Sequence, residues 1–84
     1  MADVKVGKVT HFYDKIGVAV ISILAPIKVG DTIKISGHDK EFTQEVASMQ
    51  IEHQKIEQAN KEQVVGMKVD QPVKENDLVY KVGI

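Results

Sequence analysis

Eighty-four residues suffice for one domain with one core, which buries about 60–65% of the surface that the unfolded chain exposes. The absence of cysteine removes disulfide frameworks and thiolate metal sites, and no apolar run approaches the roughly 18 residues that a membrane span needs. All eleven fixed cations are lysines against twelve acids, so guanidinium clamps on phosphate, guanine or carboxylate are excluded, as is a strongly basic nucleic-acid footprint.

Val4, Val6 and Val9 with Phe12 and Tyr13 predict a first strand, in which Gly7 breaks the alternation where a bulge would sit. Asp14-Lys15 is a polar turn. Ile16-Gly17-Val18-Ala19-Val20-Ile21-Ser22-Ile23-Leu24 is apolar on both faces and rich in β-branched residues, the pattern of a strand covered on both sides. Pro26 has no N–H for a ladder and ends whatever precedes it. Gly30-Asp31 predicts a turn in which glycine supplies a positive φ, and Ile33 and Ile35 then alternate with Thr32 and Lys34 in a strand. Ser36-Gly37-His38-Asp39 turns the chain again.

From His38 to Val65 there is neither glycine nor proline, and two readings compete. Phe42, Val46, Met49, His53 and Ile56 fall at helical spacing among good helix formers, which on pattern alone favours one amphipathic helix. The alternative is a long bulged strand from Glu41 to His53, with Phe42 and Val46 on one face and Met49 and Ile51 inward after the bulge. A polar loop is expected from Ile56 to Gln63, with one helical turn ending near Asn60. Val64 to Val69 is a further strand, Gln71-Pro72 blocks its extension, and Leu78 to Val82 is the last. Val29-Gly30-Asp31-Thr32 and Glu75-Asn76-Asp77-Leu78 echo one another, an αL-tolerant residue and Asp before a strand, which predicts two equivalent corners.

Taken in order, Gly7-Lys8-Val9, Lys15-Ile16-Gly17-Val18-Ala19-Val20, Ile27-Lys28-Val29-Gly30-Asp31-Thr32-Ile33, Val65-Gly66-Met67-Lys68-Val69 and Asn76-Asp77-Leu78-Val79 resemble the second domain of translational GTPases such as elongation factor Tu. The closer resemblance is to a variant of that barrel at the C-terminus of the collagenase-like peptidase family, some of whose members act in tRNA or rRNA hydroxylation. It also extends to short translation elongation factor-like proteins. His11-Phe12-Tyr13-Asp14-Lys15-Ile16-Gly17-Val18-Ala19-Val20 and Ser48-Met49-Gln50-Ile51-Glu52-His53 are its most specific stretches. The likeness runs from Val4 to Val82. It implies an all-β fold, a six-stranded closed Greek-key β-barrel of the elongation factor Tu domain 2 type, as a single domain over residues 1–84. It also turns the choice over 41–53 from helix to strand. No phosphate-binding loop accompanies it, since Gly7-Lys8 lacks both the upstream glycine and the Ser or Thr after the lysine. With neither a GTPase nor a peptidase-like domain in view, an accessory barrel without catalytic machinery is expected.

Ser36, His38 and Asp39 are residue types of a hydrolytic triad, but neighbours on one tight turn cannot line up nucleophile, base and orienter. His11, His38 and His53 match no metal-ligand spacing. No catalytic residue, metal or small-molecule cofactor is therefore expected, and binding remains. Lys8, Lys15, Lys28 and Lys34 belong to a more basic N-terminal half, with six Lys against four Asp in residues 1–40. They would form a phosphate-facing patch, with His11, Tyr13 and His53 supplying rings for bases. The resemblance implies tRNA or ribosomal RNA as the partner, and such a patch would bind chiefly by counterion release. Lysines that merely solvate strand edges are the competing account. A different function class is a protein-interaction adaptor that docks on a separately encoded enzyme or translation factor through Met49, Ile51 and Met67. Without cysteine, membrane span or signal-peptide pattern, the cytoplasm is the expected compartment.

Overall fold

Ten β-strands and no helix make up residues 3–37 and 40–82, which are those described by the structure, a computed structural model. β1 (Val4–Tyr13) pairs with β2 (Val18–Ile23) on one side and β10 (Leu78–Lys81) on the other. On the β10 flank follow β4 (Thr32–Ser36) and β5 (Glu41–Glu45). On the β2 flank follow β9 (Val64–Lys68), β6 (Met49–Ile51) and β7 (Gln54–Ile56). The order is β5-β4-β10-β1-β2-β9-β6-β7, antiparallel throughout, and β3 (Ile27–Lys28) with β8 (Gln58–Ala59) forms a separate ribbon. Gly7 lies at a register shift between β1 and β10, where a Cβ would come within 2.7 Å of Ile21 Cγ2. The alternation breaks there because the strands approach too closely for a side chain.

The helical spacing over 41–56 has another origin. Phe42, Gln44 and Val46 share the inner face at period two, and 46–48 then leave the ladder and shift the phase, so that Met49 and Ile51 continue inward. One phase shift in a strand mimics the four-three spacing of a helix, and the open edges of β4 and β9 take the backbone hydrogen bonds that a helix would keep to itself. The helical turn expected before Asn60 is also absent. β7 and β8 occupy that stretch instead.

A closed ladder of six strands does not form, because β5 and β7 end the sheet. The chain bends between β5 and β6, so β5 is bonded to β4 and β6 to β9, and no backbone ladder joins β5 to β9. Gln44 bridges that gap. Its side chain is the one buried polar group among the described residues, at 7% exposure. Nε2 donates to the Lys68 carbonyl at 3.0 Å, and Oε1 accepts the Asp70 N–H at 2.8 Å. One amide side chain thereby satisfies two backbone groups that a strand would otherwise have to meet.

Three corners share one geometry: Lys28-Val29-Gly30-Asp31, Asn60-Lys61-Glu62-Gln63 and Lys74-Glu75-Asn76-Asp77. In each, the fourth N–H donates to the first carbonyl at 3.1 Å. The fourth side chain accepts the first N–H, through Asp31 Oδ2 at 2.9 Å, Gln63 Oε1 at 2.7 Å and Asp77 Oδ2 at 2.9 Å. The third residue has φ of 99°, 75° and 75°. Its N–H donates to one buried residue opposite (Val46, Ile23 and Val9 in turn), whose own N–H donates to the fourth carbonyl. Two residues facing one, with the first in αL, make a β-bulge that turns the chain into β4, β9 and β10. The echo between the first and last corner is therefore real. The middle corner escapes notice because Glu and Gln stand where the others have Gly or Asn and Asp.

Candidate functional site

Residues facing outward from β1, β2, β9, β6 and β7 are set in rows by the register. Tyr13, Val18 and Lys68 form one row, His11, Val20, Gly66, Gln50 and Lys55 the next, and Lys8, Ser22 and Val64 a third. Gly66 sits in the middle, where Val18 Cγ1 and Gln50 Cγ stand 3.3 and 3.5 Å from the position a Cβ would take. A groove of about 390 Å³ runs over this point, with walls that include Tyr13, Ile16, Val20, Glu52, His53 and Val64. A hollow of about 190 Å³ continues it past Ile16, Val18 and Gly66 to Ser48, Lys55 and Lys68. The walls are mostly apolar, with Gln50, Glu52 and His53 as their polar members, and open: Tyr13 is 49% exposed, Ile16 62% and Val64 53%.

Two features hold the rings. His11 packs against Tyr13 with centroids 4.4 Å apart at 62°, edge to face, and its Nδ1 lies 3.5 Å from Glu75 Oε2 at the last corner. Glu52 and His53 form the two-residue link between β6 and β7 with φ of 49° and 68°, the positive pair of a type I′ turn, where Asn-Gly is the usual choice. A glutamate and a histidine in that conformation carry backbone strain at the groove mouth.

Lys8, His11, Tyr13 and His53 are brought to this face, and Lys15 lies in the turn between β1 and β2 at its end. Lys28 and Lys34 are not. Lys28 belongs to the β3 ribbon, beside Asp31 and Lys81 in a separate hollow. Lys34 on β4 is engaged within the chain, with Nζ 2.6 Å from Asp3 Oδ2, 3.8 Å from Glu41 Oε2 and 5.5 Å from the Tyr80 ring centroid. The hydrogen bond to Asp3 raises its pKa above 10.5 and outweighs the opposing desolvation. Lys34 is thus charged at neutral pH, and the stabilisation from its raised value is lost as pH rises through that value. His38 and Asp39 lie outside the described residues, so the triad and three-histidine arrangements have no described geometry. Among the described residues no His, Asp or Glu cluster could hold a metal, and no helix is long and apolar enough to cross a membrane.

Sequence reasoning missed Ile16, Val64, Gly66, Lys55 and Lys68. The signal was present in Ile16 to Leu24, read as covered on both sides, whereas the outer Val18 and Val20 are only partly covered. Met49 and Met67, expected on an apolar docking surface, are core residues at 1% and 0% exposure, because their phase turns them inward.

The family described as the peptidase family U32 C-terminal domain matches residues 4–79. An uncharacterized protease of Methanocaldococcus jannaschii is 42% identical over 78 residues, which are 92% of this chain and 19% of that protein. The chain thus spans about a fifth of the length of that curated relative. Two crystal structures of the C-terminal domain of a Geobacillus thermoleovorans U32 peptidase, one of them a selenomethionine variant, are each 22% identical to the chain. The variant superposes with a TM-score of 0.88 over 92% of this chain and 98% of its own. The other gives 0.89 over 94% and 92%. At that identity the likeness concerns the all-β fold alone.

Proposed function

The chain belongs to the U32 peptidase C-terminal domain family, and on that premise we propose that it is a non-catalytic binding module that holds RNA on the face of β1, β2, β9 and β6. The observation that carries this is the meeting on one face of three rings, His11, Tyr13 and His53, with Lys8, Lys15, Lys55 and Lys68 around an apolar floor. Rings for bases and cations for phosphates are the two components of RNA recognition outside regular duplexes. The resemblance to elongation factor Tu domain 2 supports the same reading. If β5 and β6 are taken as one bent strand, they join β1, β2, β4, β9 and β10 as a six-stranded barrel whose seam is closed by Gln44. By that resemblance tRNA or ribosomal RNA in the cytoplasm is the ligand. An amide NMR titration with bulk tRNA at low and physiological salt tests it. Salt-weakened shifts at Lys8, His11, Val20 and Gly66 support the reading, and no shifts even at low salt would overturn it.

A second reading has one observation in its favour. A relative carries this domain as about a fifth of a longer protease, so the open apolar face could dock on a separately encoded enzyme. Ile16, Val20 and Val64 would form that surface, since Met49 and Met67 are buried. A complex insensitive to salt and lost in Val64→Glu would favour it over RNA.

A further inference from the structure

We propose that the groove over Gly66 takes an unpaired base of a single strand, stacked on Tyr13, with the adjoining phosphates on Lys55 and Lys68. This deepens the RNA reading above and rests on it. The wider part of the groove has a mostly apolar floor, with Glu52 at its mouth and no lysine, so a phosphate there would meet a carboxylate and no fixed cation. A flat, weakly polar group suits it, and in RNA only a base released from pairing can be presented that way. The volume of about 390 Å³ lies at the lower end of the roughly 300–1,000 Å³ usual for small-ligand sites, which is ample for one or two bases.

The cations lie where the backbone would leave the groove. Lys55 and Lys68 line the narrower hollow that continues it past Gly66. At residue 66 the floor has no side chain of its own, and the Val18 methyl and the Gln50 stem that flank it give a base an apolar seat. Tyr13 is held edge to face by His11, so little ring freedom is lost on stacking. The strained Glu52-His53 link sets a second ring at the other mouth, a place where a relaxed Asn-Gly turn would present no ring at all.

Tyr13 and Tyr80 are the two tyrosines and tryptophan is absent, so Tyr80→Phe leaves Tyr13 as the sole fluorescent reporter. The test measures binding of an eight-nucleotide oligo-uridine, an eight-base-pair RNA duplex and heparin to that protein. Oligo-uridine is expected to quench Tyr13 and to bind more tightly than the duplex, with log K falling by about 1.4 per decade of salt for two phosphates. Tyr13→Ala, followed by a competition assay, should weaken oligo-uridine about tenfold or more and leave heparin unchanged. Because the ring is half exposed, its loss should leave the unfolding midpoint unmoved. Val64→Thr, which adds no charge, is the second variant and should likewise weaken oligo-uridine and spare heparin. Equal binding of all three probes, untouched by Tyr13→Ala, would overturn the base-stacking inference while RNA binding stands. No binding of any probe at low salt would overturn both. Groove shifts with a U32-type enzyme chain but not with oligo-uridine would replace the RNA occupant by a protein.

Discussion

The inner and outer faces of β2 and β9 are both apolar, but they meet different surroundings. Inward, Ala19, Ile21, Val65 and Met67 are at most 1% exposed and fill the core. Outward, Val18, Val20 and Val64 flank Gly66 and remain partly or largely open. An antiparallel sheet that buries one face needs apolar residues only on that face, and the other normally turns polar. The core explains the first set of side chains and leaves the second unexplained. On the reading proposed above the outer valines contact a ligand, which would relieve the burden that a contiguous exposed apolar patch represents.

The comparison breaks most sharply if the two faces respond alike to truncation. Ile21→Ala should lower stability by about 2–5 kcal/mol in urea unfolding, whereas Val20→Ala next to it should cost well under half as much. Equal costs would mean that the outer face is part of the fold. Next in size is the seam. Gln44→Met keeps the length of the side chain but leaves the Lys68 carbonyl and Asp70 N–H without it, at a cost of about 1–3 kcal/mol. Hydrogen exchange at Asp70 should quicken, and unchanged exchange would remove Gln44 from that role. The corners come third. Gly30→Ala should cost about 1 kcal/mol at a φ of 99°, and Glu62→Gly should gain about 0.5–1 kcal/mol by relieving a φ of 75°. A loss on Glu62→Gly would show that the middle corner is not strained. Smallest is Val64→Thr on the outer face, expected within about 0.5 kcal/mol in stability while oligo-uridine binding drops. A large loss of stability with binding intact would reverse the assignment of the two faces.

Much of the fold was legible because Val, Ile and Gly make local demands. Gly7, Gly30 and the alternation around Ile33 and Ile35 each announced a bulge, a turn and a strand that the structure contains. The 41–56 stretch was ambiguous because a strand with one phase shift and a helix place Phe42, Val46 and Met49 at the same spacing. Only pairing with β4 and β9, which lie outside the stretch, decides between them. Of the candidate site, the rings were legible and expected in one patch, whereas the apolar groove between Tyr13 and His53 was not. Lys34 resembled the other lysines until Asp3, Glu41 and Tyr80 were placed around it. The apolar outer face was visible in Val18 and Val20 but was assigned to burial, because composition does not reveal whether a second face has a cover.

The three bulged corners have a consequence for how such a domain can change. Their hydrogen bonds run through backbone and through the fourth side chain, so the second-position side chains Val29 and Lys61 are exposed and serve no bonding role in the corner, whereas the third position is held to a positive φ and Glu75 stands beside His11. The second position of the first two corners is therefore a replaceable fitting on a fixed frame. Substitutions there alter what the rim of the domain presents without renegotiating strand register.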